Sequence, residues 1–165
     1  MPKTSLDTID FEILKNLQKD GRLTNVELAN NVALSPSPCL RRVKNLEEAE
    51  VITGYRAAVN RKAVGLEMTI FVEMRISKQN RNRIQNILER VVAREEVVSC
   101  HLVSGQSDIL AEVVVPTLDA YDHLLSDFLM ALEGVEDVRS NFAIRTVKSN
   151  GPLPLGHLED LERDS

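Results

Sequence analysis

Ser37, Arg41 and Asn45 stand four residues apart in the run Pro36-Ser37-Pro38-Cys39-Leu40-Arg41-Arg42-Val43-Lys44-Asn45. In an α-helix that spacing puts all three on one face, with Arg42 and Lys44 on its flanks and Leu40, Val43 and Leu46 opposite. The chemistry such a face offers is the reading of base edges. Arg bridges guanine, Asn bridges adenine, and the flanking cations meet phosphates. A basic run on a helix usually does no more than solvate it, so its meaning depends on what precedes it. No rival chemistry stands out. The His residues are scattered at 101, 123 and 157, His123 falls on the polar side of its helix, and Cys39 sits beside Leu40 as a packing residue. No Ser, Cys or Lys has a motif that marks activation, and none of the seven Gly falls in a GxGxxG or GxxxxGK pattern. Cys39 and Cys100 are 61 positions apart with no His at ligand spacing, so reduced thiols are expected and neither zinc nor a disulfide framework. No enzyme activity, metal or cofactor is predicted.

The elements that must position this face are readable. Leu6, Ile9, Ile13, Leu14 and Leu17 recur at helical spacing, with Asp7 as N-cap and Gly21 as the stop. Thr24-Asn25-Val26-Glu27 has the form of a capping box and opens a short second helix with Leu28, Ala29 and Val32. Ser35 can cap the third, Pro36 suits its first position, and the helix runs to about Ala49. Two helices joined by a tight turn, the second carrying an exposed basic and amide face, fit a B-DNA major groove.

With 165 residues the chain makes one medium domain or two small ones, and 43% hydrophobic residues are enough for a core. Trp is absent and aromatics are only 4%, so a stacking platform for single strands is poorly supplied. The net charge of -5 is unevenly spread: residues 1–62 carry +2 and the remainder -7. The N-terminal part can therefore approach a polyanion, while the C-terminal part cannot. No apolar leader or membrane span is present in the sequence, and a soluble, cytoplasmic protein is expected. Residues 51–67 read as a hairpin or extended linker, with a boundary near Asn60. From Met68 the period becomes two: Ile70, Val72, Met74 and Ile76 share one side of a strand. A helix with Ile84, Ile87, Leu88, Val91 and Val92 follows, then a strand near 97–103, a strand near 109–115, a helix with Tyr121, Leu124, Leu125, Phe128, Leu129 and Leu132, and a strand near 138–147. The order βαββαβ predicts an α+β chain: a helix-turn-helix domain over 1–50, then a ferredoxin-like domain over 68–148 with both helices on one sheet face. The other face, drawing on Phe71, Val97, Val103, Val114, Ala143 and Val147, is expected to be apolar and covered by a two-fold partner. Residues 149–165, rich in Gly and Pro, read as an irregular tail with no assigned role.

The run Leu6-Asp7-x-Ile9-Asp10, Leu17-Gln18-x-Asp20-Gly21-Arg22, Asn25-Val26-Glu27-Leu28 and Leu34-Ser35-Pro36-Ser37-Pro38-Cys39-Leu40-Arg41-Arg42-Val43 resembles the Lrp/AsnC family of transcription regulators. The resemblance implies a winged-helix-like reader in which Ser37, Arg41 and Asn45 contact bases and Arg42, Lys44 and Arg22 lie near phosphates. Cys100-His101-Leu102-Val103-Ser104-Gly105-x-x-Asp108 resembles the family's effector-response motif. By that resemblance an amino acid binds between subunits around Leu102, Gly105 and Asp108, with Ser140 and Phe142 nearby. Dimers would build tetramers or octamers on pseudo-palindromic double-stranded DNA. Two residues depart from the pattern: Ala33 stands where relatives often carry a turn Gly, and Ile109 where Tyr is common. The implied function is a sequence-specific regulator whose DNA affinity or assembly responds to a small effector. Two other readings remain at this stage: an amino-acid-binding subunit acting on a partner protein, and an architectural DNA-wrapping protein without an effector.

Overall fold

Asp7 opens the first helix of the computed structural model, which describes residues 6–77 and 81–157. Its carboxylate accepts from the Ile9 and Asp10 amides, each at 3.0 Å, and Asp10 returns the bond to the Asp7 amide. Helix α1 (Thr8–Lys19) then ends at Asp20 in extended conformation, one residue before Gly21, which takes no left-handed backbone. The Thr24 capping box forms and starts α2 (Asn25–Asn31). Helix α3 (Pro36–Glu48) begins with Pro36 at its first position; Ser35 occupies the N-cap backbone, but its side chain makes no capping bond. Glu50 at the end of α3 takes φ 55°, with the Val51 amide bonded to Leu46 O and the Glu50 amide to Glu47 O, so the helix stops on a Schellman turn.

Between α2 and α3 the chain reverses at Ala33, which adopts φ 54°. The turn needs that conformation because the Leu34 amide must reach back to Ala29 O at 2.9 Å. A left-handed Ala is less stable than Gly by about 1 kcal/mol, and the exposed Ala33 methyl contributes no packing in return. Ala33→Gly is expected to raise the stability of this unit by about 0.5–1 kcal/mol, less whatever Gly adds to unfolded-chain entropy. Urea unfolding followed by helix signal checks it.

The chain divides into two units: residues up to Ala58 together with those from Lys148, and Val59–Val147. The core of the first consists of Ile13, Leu14, Leu28, Ala29, Val32, Cys39 and Leu46. Cys39 is fully buried there, and burial pushes its thiol up, so it packs. The inward face of α3 is thus Cys39, Val43 and Leu46, while Leu40 stays 44% exposed. No hairpin forms after α3: residues 53–60 have no regular structure. Residues 149–155 are irregular, as the sequence indicates, and Leu155 packs against this first core, a contact that composition does not reveal. Residues 158–165 lie outside the described ones.

In the second unit, β1 (Met68–Ile76), α4 (Arg81–Val92), β2 (Val97–Leu102), β3 (Ile109–Val115), α5 (Leu118–His123) and β4 (Val135–Phe142) realise the βαββαβ order. Helix α5 runs on without a break into a π-helical stretch, Leu124–Leu129. The sheet is antiparallel throughout, in the order β2-β3-β1-β4. Ile70, Val72, Met74 and Ile76 face Ile87 and Val91 of α4 and Tyr121, Leu124 and Leu129 of the second helix, so both helices pack on one side. Strand β4 begins three residues earlier than the sequence indicates and stops at Phe142. The Ala143 amide makes a last bond to Thr69 O, and beyond it Ile144 and Val147 are exposed, since alternation alone cannot tell a paired apolar residue from an unpaired one.

The opposite sheet face differs from the expected apolar patch. Val97 packs on the helix side, Val114 is already buried, and Val147 lies beyond the last strand. Phe71, 40% exposed, sits among a polar network: Glu73 accepts from Ser107 Oγ at 2.8 Å and Asn141 Nδ2 at 3.0 Å. Arg61 pairs with Glu112 at 2.7 Å and also donates to Thr69. The hydrophilic partners come from loops and an edge strand, so strand periodicity gives no sign of them.

Candidate nucleic-acid interface and effector site

The outward surface of α3 carries Ser37, Arg41, Lys44 and Asn45, all exposed. Ser37 and Arg41 fall in its first two turns, the part of a recognition helix that meets base edges. Among the described residues no ion pair engages Arg41 or Lys44, so both guanidinium and ammonium groups are available to an anionic partner. Arg22 lies exposed in the turn before α2, its backbone amide held by Asp20 at 2.9 Å. The capping box at the start of α2 is a further charge fixed in place: the Thr24 hydroxyl and amide hold the Glu27 carboxyl below its ordinary value.

Arg42 is the exception on this helix. Its guanidinium meets Asp7 at 2.7 Å and Asp10 at 2.9 Å, the two carboxylates that cap α1. It ties α3 to the start of α1 and is therefore occupied within the unit, rather than open toward phosphates as the resemblance implied. Partial burial pushes the Asp7 carboxyl up, but the Asp10 amide, the Arg42 guanidinium and the Ile9 amide outweigh it and leave the group below its ordinary value. A depressed carboxylate stabilises the fold above its unfolded pKa, and that contribution drains away as pH falls below about 4. Arg42→Ala should lower stability at neutral pH by about 1 kcal/mol, a figure kept small because Asp7 is half-exposed. The same variant should flatten the acid limb of the stability curve, read by thermal melts between pH 3 and 7.

In the second unit, Gly105 and Asp108 line an open cleft of about 570 Å³ together with Arg75, Ile76, Ser77, Gln106 and Glu136. Gly105 takes φ 130°, a conformation that side-chain-bearing residues avoid. Asp108 fastens the loop to the end of β1: its amide donates to Met74 O at 2.9 Å, and its Oδ2 accepts from the Ile76 amide at 2.7 Å. Arg75 reaches Glu136 at 3.5 Å across the mouth of the cleft. Neither residue is marked in the sequence, because they meet only where the end of β1 runs beside the start of β4.

The other residues of the expected effector set are elsewhere. Leu102 ends β2 and is 63% exposed, outside the cleft lining. Ser140 and Phe142 lie at the far end of β4: Phe142 pairs with Ile70, six residues from Ile76 along β1, or about 20 Å. They belong to an internal contact, in which Tyr121 Oη and Ser140 Oγ are 2.5 Å apart and the Tyr121 and Phe142 rings pack edge to face at 5.5 Å. One chain therefore brings Gly105 and Asp108 together and leaves Ser140 and Phe142 apart from them. His123 is exposed and pairs with Asp127. Among the described residues, no group of three His, Cys, Asp or Glu side chains is placed to hold a metal ion, and no helix is long and apolar enough to cross a membrane.

Comparison with known proteins decides the family. Residues 6–53 match a winged helix-turn-helix DNA-binding model, and residues 69–153 match the Lrp/AsnC ligand binding domain. The leucine-responsive regulatory protein of Escherichia coli strain K12 is 41% identical over 92% of this chain and 93% of its own length. The chain belongs to the Lrp/AsnC family of transcription regulators. The leucine-responsive regulatory protein of Klebsiella pneumoniae is equally similar, at 41% over the same shares. Among solved structures, a transcriptional regulator from Neisseria meningitidis in complex with L-Met superposes with a TM-score of 0.88 at 39% identity, over 93% of this chain and 99% of that one. An AsnC family transcriptional regulator from Agrobacterium tumefaciens gives 0.87 at 35%, over 92% and 99%. As a Lrp/AsnC member the chain is a non-enzymatic regulator, with a DNA-binding helix-turn-helix followed by an effector-binding domain.

Proposed function

We propose that this Lrp/AsnC regulator binds pseudo-palindromic duplex DNA as a homodimer or an assembly of dimers, with α3 of each copy in a major groove. Arg41 and Asn45 read bases beside Ser37, and Lys44 and Arg22 meet phosphates. The observation that carries this reading is the division of labour on α3: Arg42 is spent on Asp7 and Asp10, while Arg41 and Lys44, on the exposed side, meet no ion-pair partner among the described residues. Pairing of copies is supported by Phe71, Leu102 and Phe142, each 40% or more exposed on or at the edge of a sheet whose edge strands β2 and β4 each have a strand neighbour on one side only among the described residues.

The effector is an amino acid at the cleft of Gly105 and Asp108. Arg75 suits an α-carboxylate and Asp108 suits an α-ammonium group, so the cleft has the charges a zwitterion needs. The L-Met complex of the neisserial relative and the leucine-responsive relatives make methionine and leucine the first probes. Binding shifts DNA affinity only so far as the amino acid favours one arrangement or assembly over another. The test is anisotropy of a labelled duplex with and without each amino acid, alongside light scattering. A change in affinity or in mass on adding one of them is expected. A particle of 18.5 kDa whose DNA binding ignores all twenty amino acids would defeat the proposal.

A further inference from the structure

The segment after β4 is seated on the DNA-binding unit. Gln18, in the last turns of α1, grips the backbone of Leu153 from both sides: its Oε1 accepts from the Leu153 amide at 2.6 Å, and its Nε2 donates to Leu153 O at 3.4 Å. Leu155 packs against the core of the unit, and with Leu153 it closes a groove lined by Leu6, Leu14, Leu17 and Val51–Tyr55. The Leu153 side chain remains mostly exposed, so the hold consists of backbone capture at one residue and apolar anchorage two residues on. Pro152 and Pro154 fix their own φ and confine Gly151 and Leu153 to extended backbone. A segment so restricted before docking loses little entropy on docking.

We propose that this groove is a receptor for the chain's own Pro152–Leu155 segment, which acts as a latch on the DNA-binding unit. The chain leaves that unit at Ala58 and returns to it at Lys148, so the docked latch adds a non-covalent tether to the covalent connection at Ala58. Docking has two consequences. It adds contacts to α1 and so slows local opening of that helix. It also narrows the range of orientations the reading helix samples, which sharpens the preference for half-sites at one spacing; this second consequence rests on the paired-head reading above.

The test compares full-length wild type with Gln18→Ala and Leu155→Ser, singly and together. Gln18→Ala keeps a strong helix former in α1, so its folding is not at issue. Hydrogen exchange of the α1 amides reports docking, and affinity for duplexes with half-sites one full turn or one and a half turns apart reports positioning. Either single variant should exchange about 5- to 30-fold faster in α1. The double variant should add little to Leu155→Ser, because both changes remove one dock. Preference for the in-phase duplex should fall several-fold. Unchanged α1 exchange in Leu155→Ser overturns the latch. Faster exchange with an intact phase preference overturns its positioning role. A wild-type protein indifferent to phase counts against paired heads instead, and the exchange result still decides the latch.

Discussion

Arg41→Ala is expected to weaken binding to a cognate duplex by roughly 30-fold to 10⁴-fold while changing binding to random duplex far less. A bidentate contact from an arginine to guanine contributes about 1–3 kcal/mol of discrimination, and a two-fold assembly loses two of them at once, about 2–6 kcal/mol. The geometry supports that size of effect: Arg41 projects from the early turns of α3, is exposed, and among the described residues has no ion pair to break before it reaches a base. Lys44→Ala provides the contrast. A phosphate contact carries no sequence information, so its loss should lower affinity for cognate and random duplex alike and reduce the salt slope by about one per head. Arg42→Ala gives a third signature, a loss of stability with base preference retained, because its guanidinium already serves Asp7 and Asp10. Equal loss on cognate and random duplex for Arg41→Ala would remove it from the bases.

How much of this was legible in the sequence depends on the range of each interaction. The caps at Asp7 and Thr24, the proline at the start of α3 and the period-two strand at 70–76 act within a few residues, so their signals lie side by side in the chain. The turn at Ala33 was likewise foreseeable as a position that favours Gly. Arg42 was not, because the carboxylates that claim it lie 32 and 35 positions away, and a helical wheel shows only that it sits on a flank. The same reason hides Arg75 and Glu136, which meet through the register of β1 against β4, and Gln18 with Leu153, 135 positions apart. Ser140 and Phe142 rest on family resemblance alone; the register of β4 on β1 sets them opposite Val72 and Ile70, four and six residues from Ile76, or about 13 and 20 Å along the strand. The outer sheet face is more polar than alternation predicts, because alternation places Glu73 and Glu112 on it without revealing the loop and edge residues that satisfy them.

Asp108→Asn should abolish the response of DNA binding to the effector amino acid while leaving binding without it near wild type. The choice of Asn follows from the structure. Asp108 Oδ2 accepts from the Ile76 amide, and an Ala there would orphan that donor, a loss of about 1–3 kcal/mol that confuses a ligand effect with a folding effect. Asn keeps an oxygen for the Ile76 amide and removes only the charge. What remains in the cleft is Glu136, already opposed by Arg75, so the site no longer holds a free anion for an α-ammonium group. Coupling in regulators of this size is typically 1–3 kcal/mol, which appears as a 5- to 150-fold change of DNA affinity; in Asp108→Asn that ratio should approach one. Thermal shift gives a parallel readout, since a ligand at 100 times its Kd adds about 2.7 kcal/mol to wild type and should add almost nothing to the variant. If Asp108→Asn melts like wild type and still responds fully, the carboxylate charge is irrelevant to the ligand. Asp108 is then only the fastening between the 103–108 loop and the end of β1, and the effector binds elsewhere.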